Sequence, residues 1–164
     1  SPVGAHRARG STGDTVRSFL LLLLLATPLA PLAPALAQPA AEAPVSVEVA
    51  LVRATRGSPA VDPALASMAA ALKSLPFQTF ASVGTGGWSA PSGRQGKADL
   101  PLDVEVKATV TKATGDSATV DVTVTRGGRE VAHTTFERPW GLAHVLSVGR
   151  DGDATLLVPV RVSR

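Results

Sequence analysis

The 164-residue chain has 16 basic and 13 acidic residues, three histidines and no cysteine, and 45% of it is hydrophobic although only 4% is aromatic. The absence of cysteine excludes disulfides, thiolate metal centres, a cysteine nucleophile and a lipidated cysteine anchor. Arg7, Arg9 and Arg17 all precede residue 38, with only Asp14 to balance them, so the rest of the chain is close to neutral. Its scattered cations offer no electrostatic footprint for a nucleic acid.

The first legible element is an export signal. Arg17 is followed by the leucine run Leu20 to Leu25, then by Thr27-Pro28 and the small-residue stretch Ala35-Leu36-Ala37. A cationic start, an apolar core of roughly 7 to 15 residues and small residues before a cleavage point are the parts of a secretory signal peptide. Cleavage is expected after Ala37, leaving Gln38 first. The apolar run from Phe19 to Thr27 is too short to span a bilayer core, which takes about 20 residues, so no stable membrane insertion is expected after cleavage. The chain starts at Ser1 and its sole methionine is Met68. Residues 1–15 therefore read as possible non-native upstream sequence, with Val16 as an alternative start, residues 16–37 as the signal peptide and 38–44 as a flexible Pro/Ala linker. A single globular domain is expected over 45–164, and its length suffices to bury a core without staples. The expected location is secreted or periplasmic.

In that domain Val45, Val47, Val49 and Leu51 alternate with Ser46, Glu48 and Ala50, the period of a strand with one buried face. Asp62-Pro63 opens a helix, because aspartate caps orphan N–H groups and proline at the first helical position has none to waste. Leu65, Met68, Leu72 and Leu75 form its apolar stripe, and Pro76 ends it. A short strand is expected over 78–83 and a mostly irregular Gly/Ser/Pro segment over 84–96.

The C-terminal half alternates plainly. Leu102, Val104, Val106, Ala108 and Val110 form one face of a strand, and Ala118, Val120, Val122 and Val124 a face of the next. Gly115-Asp116 and Gly127-Gly128 are expected to supply the positive φ angles of two-residue hairpin turns. Pro139-Trp140-Gly141 reads as the following reversal and Arg150-Asp151-Gly152-Asp153 as the last, ahead of a strand with Ala154, Leu156, Val158, Val160 and Val162 on one side. Pro159 cannot donate to a ladder and predicts an edge or a bulge there. The fold class is α+β, a single helix packed on an antiparallel meander of about five to seven strands, with an all-β sandwich carrying one helix as the alternative.

The segment from Asp62-Pro63-Ala64-Leu65 through Leu72-Lys73-Ser74-Leu75-Pro76-Phe77-Gln78-Thr79-Phe80, with its β-rich tail and Gly-Gly turn, resembles a group of uncharacterised small secreted bacterial proteins. They share an Asp-Pro-x-Leu helix start and a Leu, Phe, Phe helix exit. The resemblance implies secretion and a small domain and carries no activity.

Candidate sites are few. A hairpin turning between Pro139 and Trp140 would set Thr135 opposite His144 and His133 opposite Leu146, making the histidines diagonal neighbours on the face that also carries Glu137. Two histidines and a carboxylate can hold zinc, but no fourth ligand is evident, and the plain alternative is a pair of surface histidines. No Gly-x-Ser-x-Gly elbow accompanies the serines. Gly84-Thr85-Gly86-Gly87 lacks the lysine ending of a phosphate loop, and Asp151-Gly152-Asp153 reads as a turn before it reads as a calcium site. Trp88 and Trp140 lie in glycine-flanked segments whose turn chemistry does not need them; exposed, either would be a partner anchor, and tucked inward they would cap the ends of the core. The sequence thus points to a non-enzymatic exported domain, without cofactor, that binds a protein partner or an envelope component. A small-ligand or metal carrier using His133 and His144, and an enzyme with an unrecognised site, are the alternatives.

Overall fold

The computed structural model describes residues 43–164; the expected upstream stretch, the signal peptide and linker residues 38–42 lie outside the described residues. The fold is mostly β, with one short helix and two sheets. The first sheet contains β1 (Val45–Thr55), β2 (Ala60–Val61), β3 (Thr79–Ala90), β8 (Ala143–Asp151) and β9 (Ala154–Ser163), in the order β2-β3-β1-β9-β8. The second contains β4 (Gln95–Leu100), β5 (Val104–Ala113), β6 (Ser117–Arg126) and β7 (Arg129–Pro139), in chain order. All pairings are antiparallel except the short β2–β3 ladder. Among the described residues no helix is long and apolar enough to cross a membrane.

The expected single meander is corrected by this topology. The chain changes sheets twice, between β3 and β4 and again at Pro139-Trp140-Gly141, so β7 and β8 are the edge strands of different sheets. Leu142 N–H bonds Pro139 O at 3.2 Å and Gly141 takes φ +81°, so the reversal exists. It turns the chain from one layer to the other. Inward residues of both layers, among them Val49, Leu51, Leu100, Val106, Val122, Leu156 and Val160, form one continuous core.

β1 is buried on both faces. Val45, Val47, Val49 and Leu51 face the inter-sheet core, while Ala50, Val52 and Ala54 face a second, smaller core closed by the helical segment. That segment begins as a 3₁₀ turn, Pro63–Met68, and continues as α1, Ala69–Lys73. Asp62 caps it as expected, accepting Ala64 N–H at 2.9 Å, and its other oxygen accepts Ser82 N–H at 3.2 Å, which ties the cap to β3. Leu65, Met68 and Leu72 are all buried against β1 and β9, so the stripe lies inward on the sheet.

Three further expectations are revised. Residues 84–96 are mainly strand, because β3 runs to Ala90 and β4 starts at Gln95. Its glycines allow close approach of the layers: a Cβ on Gly84 would sit 2.5 Å from Pro101 Cδ, and one on Gly86 3.0 Å from Ala98 Cβ. β9 is interior in spite of Pro159, and the β1–β9 register is interrupted across Val158-Pro159, where the missing N–H would otherwise be needed. Gly115 does not take a positive φ, unlike Gly127 (+57°) and Gly128 (+76°). The β5–β6 turn closes through Thr114 instead, whose hydroxyl donates to Ser117 O and accepts from Ser117 N–H, each at 3.0 Å.

Candidate functional site

The structure separates His133 from His144. His133 pairs across β6 with Thr123, and Thr135 with Asp121, on the solvent face of the second sheet, whereas His144 pairs with Val160 and turns toward the other layer. The register expected for a β7–β8 hairpin does not form, because those strands belong to different sheets. Among the described residues no group of three His, Asp or Glu side chains is placed to hold a metal. Glu137 accepts the Ser117 hydroxyl at 2.7 Å and does not join the histidines.

The two imidazoles have opposite electrostatics. His133 Nε2 lies 3.1 Å from Asp121 Oδ2, which also accepts the Thr135 hydroxyl at 2.9 Å. The hydrogen bond to Asp121, and then its charge, raise the His133 pKa above the ordinary histidine value, while Asp121 is lowered by the same bond and by Thr135. His144 stacks on Phe136 with centroids 4.2 Å apart and accepts at Nδ1 from Arg138 at 3.3 Å. Burial, then the Arg138 charge, lower its pKa. The His133–Asp121 pair is complete when the imidazole is protonated and the carboxylate ionised. Its contribution is lost as pH rises through the raised histidine value and again as pH falls through the lowered aspartate value. In an NMR titration His133 should therefore lose its proton at a higher pH than His144, and the reverse order would rule out both environments.

The tryptophans are not exposed anchors. Trp88 and Trp140 are half-buried and pack against the inter-sheet core. Gly96 leaves the slot that the Trp88 indole fills. Trp140 Nε1 donates to Thr114 O at 3.1 Å, and the Arg164 guanidinium lies over its ring, 4.5 Å from the centroid. Asp151-Gly152-Asp153 forms the β8–β9 turn, with Gly152 at φ +61°, and Asp151 pairs with Arg53 of β1.

A feature that the sequence reading missed lies where the two layers part beside the β6–β7 turn. Leu100 pairs with Val104, so Pro101-Leu102-Asp103 is the reversal between β4 and β5, and Leu102 is not the first inward residue of a strand. Leu102 and Asp103 are the two non-glycine residues with positive φ among those described, at +61° and +56°. A left-handed backbone costs an L-residue about 1–2 kcal/mol. Leu102 recovers little of that by burial, since it is 42% exposed. Asp103 O accepts Gly127 N–H at 2.9 Å, which fastens this turn to the tip of the β6–β7 hairpin.

Two bulges complete the site. Val131 is the extra residue where the β6–β7 register shifts, and Val148 the extra residue where the β8–β9 register shifts. Val131 is 40% exposed, Val148 is buried, and both line, with Leu102, a groove of ≈ 620 Å³. Arg126 and Arg129 stand at its rim. Gly149, at φ +119°, has room beside it for the Arg126 guanidinium, which donates to Arg150 O at 3.0 Å and so bridges the layers. The groove therefore combines an apolar floor, two projecting aliphatic side chains and cations on a hydrogen-bonded frame. A second crevice of ≈ 570 Å³ lies beside the helix exit, lined by Val61, Phe77, Phe80 and Lys73, with Phe77 and Phe80 in edge contact at 6.4 Å.

No family model matches the chain, and neither the curated proteins nor the solved structures contain a match to it.

Proposed function

We propose that this protein is an exported, non-enzymatic binding domain, and that the groove between Leu102 and Val131 is where it docks a protein partner. The strained, exposed Leu102 carries the reading. Glycine or asparagine would make the same turn without strain, and a leucine held there gains its worth from a surface that covers it. The two-layer frame around it suits presentation of a preformed surface.

Leu102→Gly should melt no lower than the parent, because glycine is at ease at φ +61°. A photo-crosslinking residue placed at Val131 in the producing cell should give an adduct of defined mass that Leu102→Gly abolishes. The same residue placed at Thr123, on the outer face of the second sheet, should give none. An adduct indifferent to Leu102→Gly, or equal from both positions, overturns the reading. Export by the leader predicts a mature N-terminus of Gln-Pro-Ala-Ala; Edman sequencing of the exported product that begins upstream of Gln38 would remove the cleavage after Ala37.

A further inference from the structure

We infer that the docking groove selects a carboxylate: its occupant is an extended partner segment carrying an acidic side chain between aliphatic ones. This rests on the reading of the groove as the docking face. Arg126 and Arg129 are direct cross-strand partners at the end of β6 and β7, closing the Gly127-Gly128 turn. Like charges in that position destabilise a hairpin, where an opposite pair would support it. Among the described residues neither arginine has a carboxylate within ion-pair distance. The Arg126 bond to Arg150 O occupies one nitrogen, so the rest of its fork is free to donate.

The two arginines line the groove together with Leu102 and Val131 and outnumber its one acidic residue, Asp103. Planar forks beside an apolar floor match a carboxylate geometrically as well as electrostatically. Alternate side chains of an extended segment point to opposite faces, so a Leu-x-Glu-x-Leu segment sets both leucines and the carboxylate on one face, the leucines toward Leu102 and Val131 and the carboxylate toward the arginines. Unpaired, the two arginines repel one another. A bound carboxylate removes that repulsion, so the preference for an anion is built into the hairpin itself.

The test uses the full chain and three probes, acetyl-Leu-Ser-Glu-Ser-Leu-amide, its Gln isostere and its Lys counterpart, read by the methyl resonances of Leu102 and Val131. The Glu peptide should move both methyls and bind at least tenfold more tightly than the Gln peptide, with the advantage falling as salt is raised. Arg126→Gln with Arg129→Gln should bring the Glu peptide down to the affinity of the Gln peptide. That double variant loses a repulsion together with the exposed Arg126 bond to Arg150 O, so its melting should stay close to the parent's, which separates lost recognition from lost fold. Equal binding of the Glu and Gln peptides, or preference for the Lys peptide, overturns the carboxylate and leaves the docking face standing. If none of the three moves either methyl, the docking face falls and the carboxylate falls with it.

Discussion

Leu72→Asp unfolds the domain. Leu72 is wholly buried in the second core, where Leu65, Met68 and Phe80 surround it together with Val52 and Leu157 of β1 and β9. Nothing in that shell is polar, so an introduced carboxylate finds no hydrogen bond and no cation. Burying such a group costs several kcal/mol even when it takes up a proton to shed its charge. Domains of this size have roughly 5–15 kcal/mol in all. Leu72→Ala is the graded control: it leaves a cavity and costs about 2–5 kcal/mol, so it should stay folded at 25 °C with a lowered melting temperature. A burial penalty raises the pKa of the new aspartate, so whatever folded population survives should increase as the pH is lowered. Circular dichroism melts of the three proteins across that range decide the matter; an aspartate variant that melts with the parent would show the helical segment detached from the sheet in solution.

Gly96→Ala should also destabilise the domain, and only because of Trp88. A methyl group at residue 96 would fall within the space of the indole ring, closest to its Nε1. The ring also packs against the inter-sheet core, so moving it aside would give up that contact. Overpacking of this kind costs about 1–3 kcal/mol. Trp88→Ala alone should cost about 3 kcal/mol, the lower end of the range for a large aromatic because the ring is only half-buried. The two losses should not add. With the indole gone the alanine methyl has room and the Gly96→Ala penalty should vanish, giving a coupling of at least 1 kcal/mol in a double-mutant cycle. Additive losses would mean that the two residues do not meet.

Much of the fold was legible because its signals were local. The Asp62-Pro63 cap, the Leu65, Met68 and Leu72 stripe, the alternation along β5, β6 and β9 and the Gly127-Gly128 turn each depend on residues close in sequence, and all of them form. What failed depended on neighbours that sequence spacing cannot name. Glycines at 84 and 86 read as loop residues, yet they are spaces cut in a strand to admit Pro101 and Ala98 from the other layer. Pro159 read as a sign of an edge or a bulge; the strand is not at an edge, and the ladder is interrupted at that point inside the sheet. The histidines read as neighbours because a hairpin was assumed where the chain in fact changes layers. The groove was illegible for a related reason: Leu102 continues the apolar alternation that starts at Val104, and only the unexpected strand β4, by pairing Leu100 with Val104, pushes it out into the turn.

The place of β1 has a consequence for how the protein is made. This strand is the seam of both cores, and its partner on one side is β9, near the far end of the chain, with Val49 set against Val160. Until β9 has been synthesised, β1 has an open edge, and the first sheet cannot close. The second sheet, by contrast, is built of successive neighbours and can form as it emerges. Closure between such distant segments is slow, so the domain remains unfinished during nearly all of its synthesis. The order of the strands works like a clasp that fastens only when the last link has arrived.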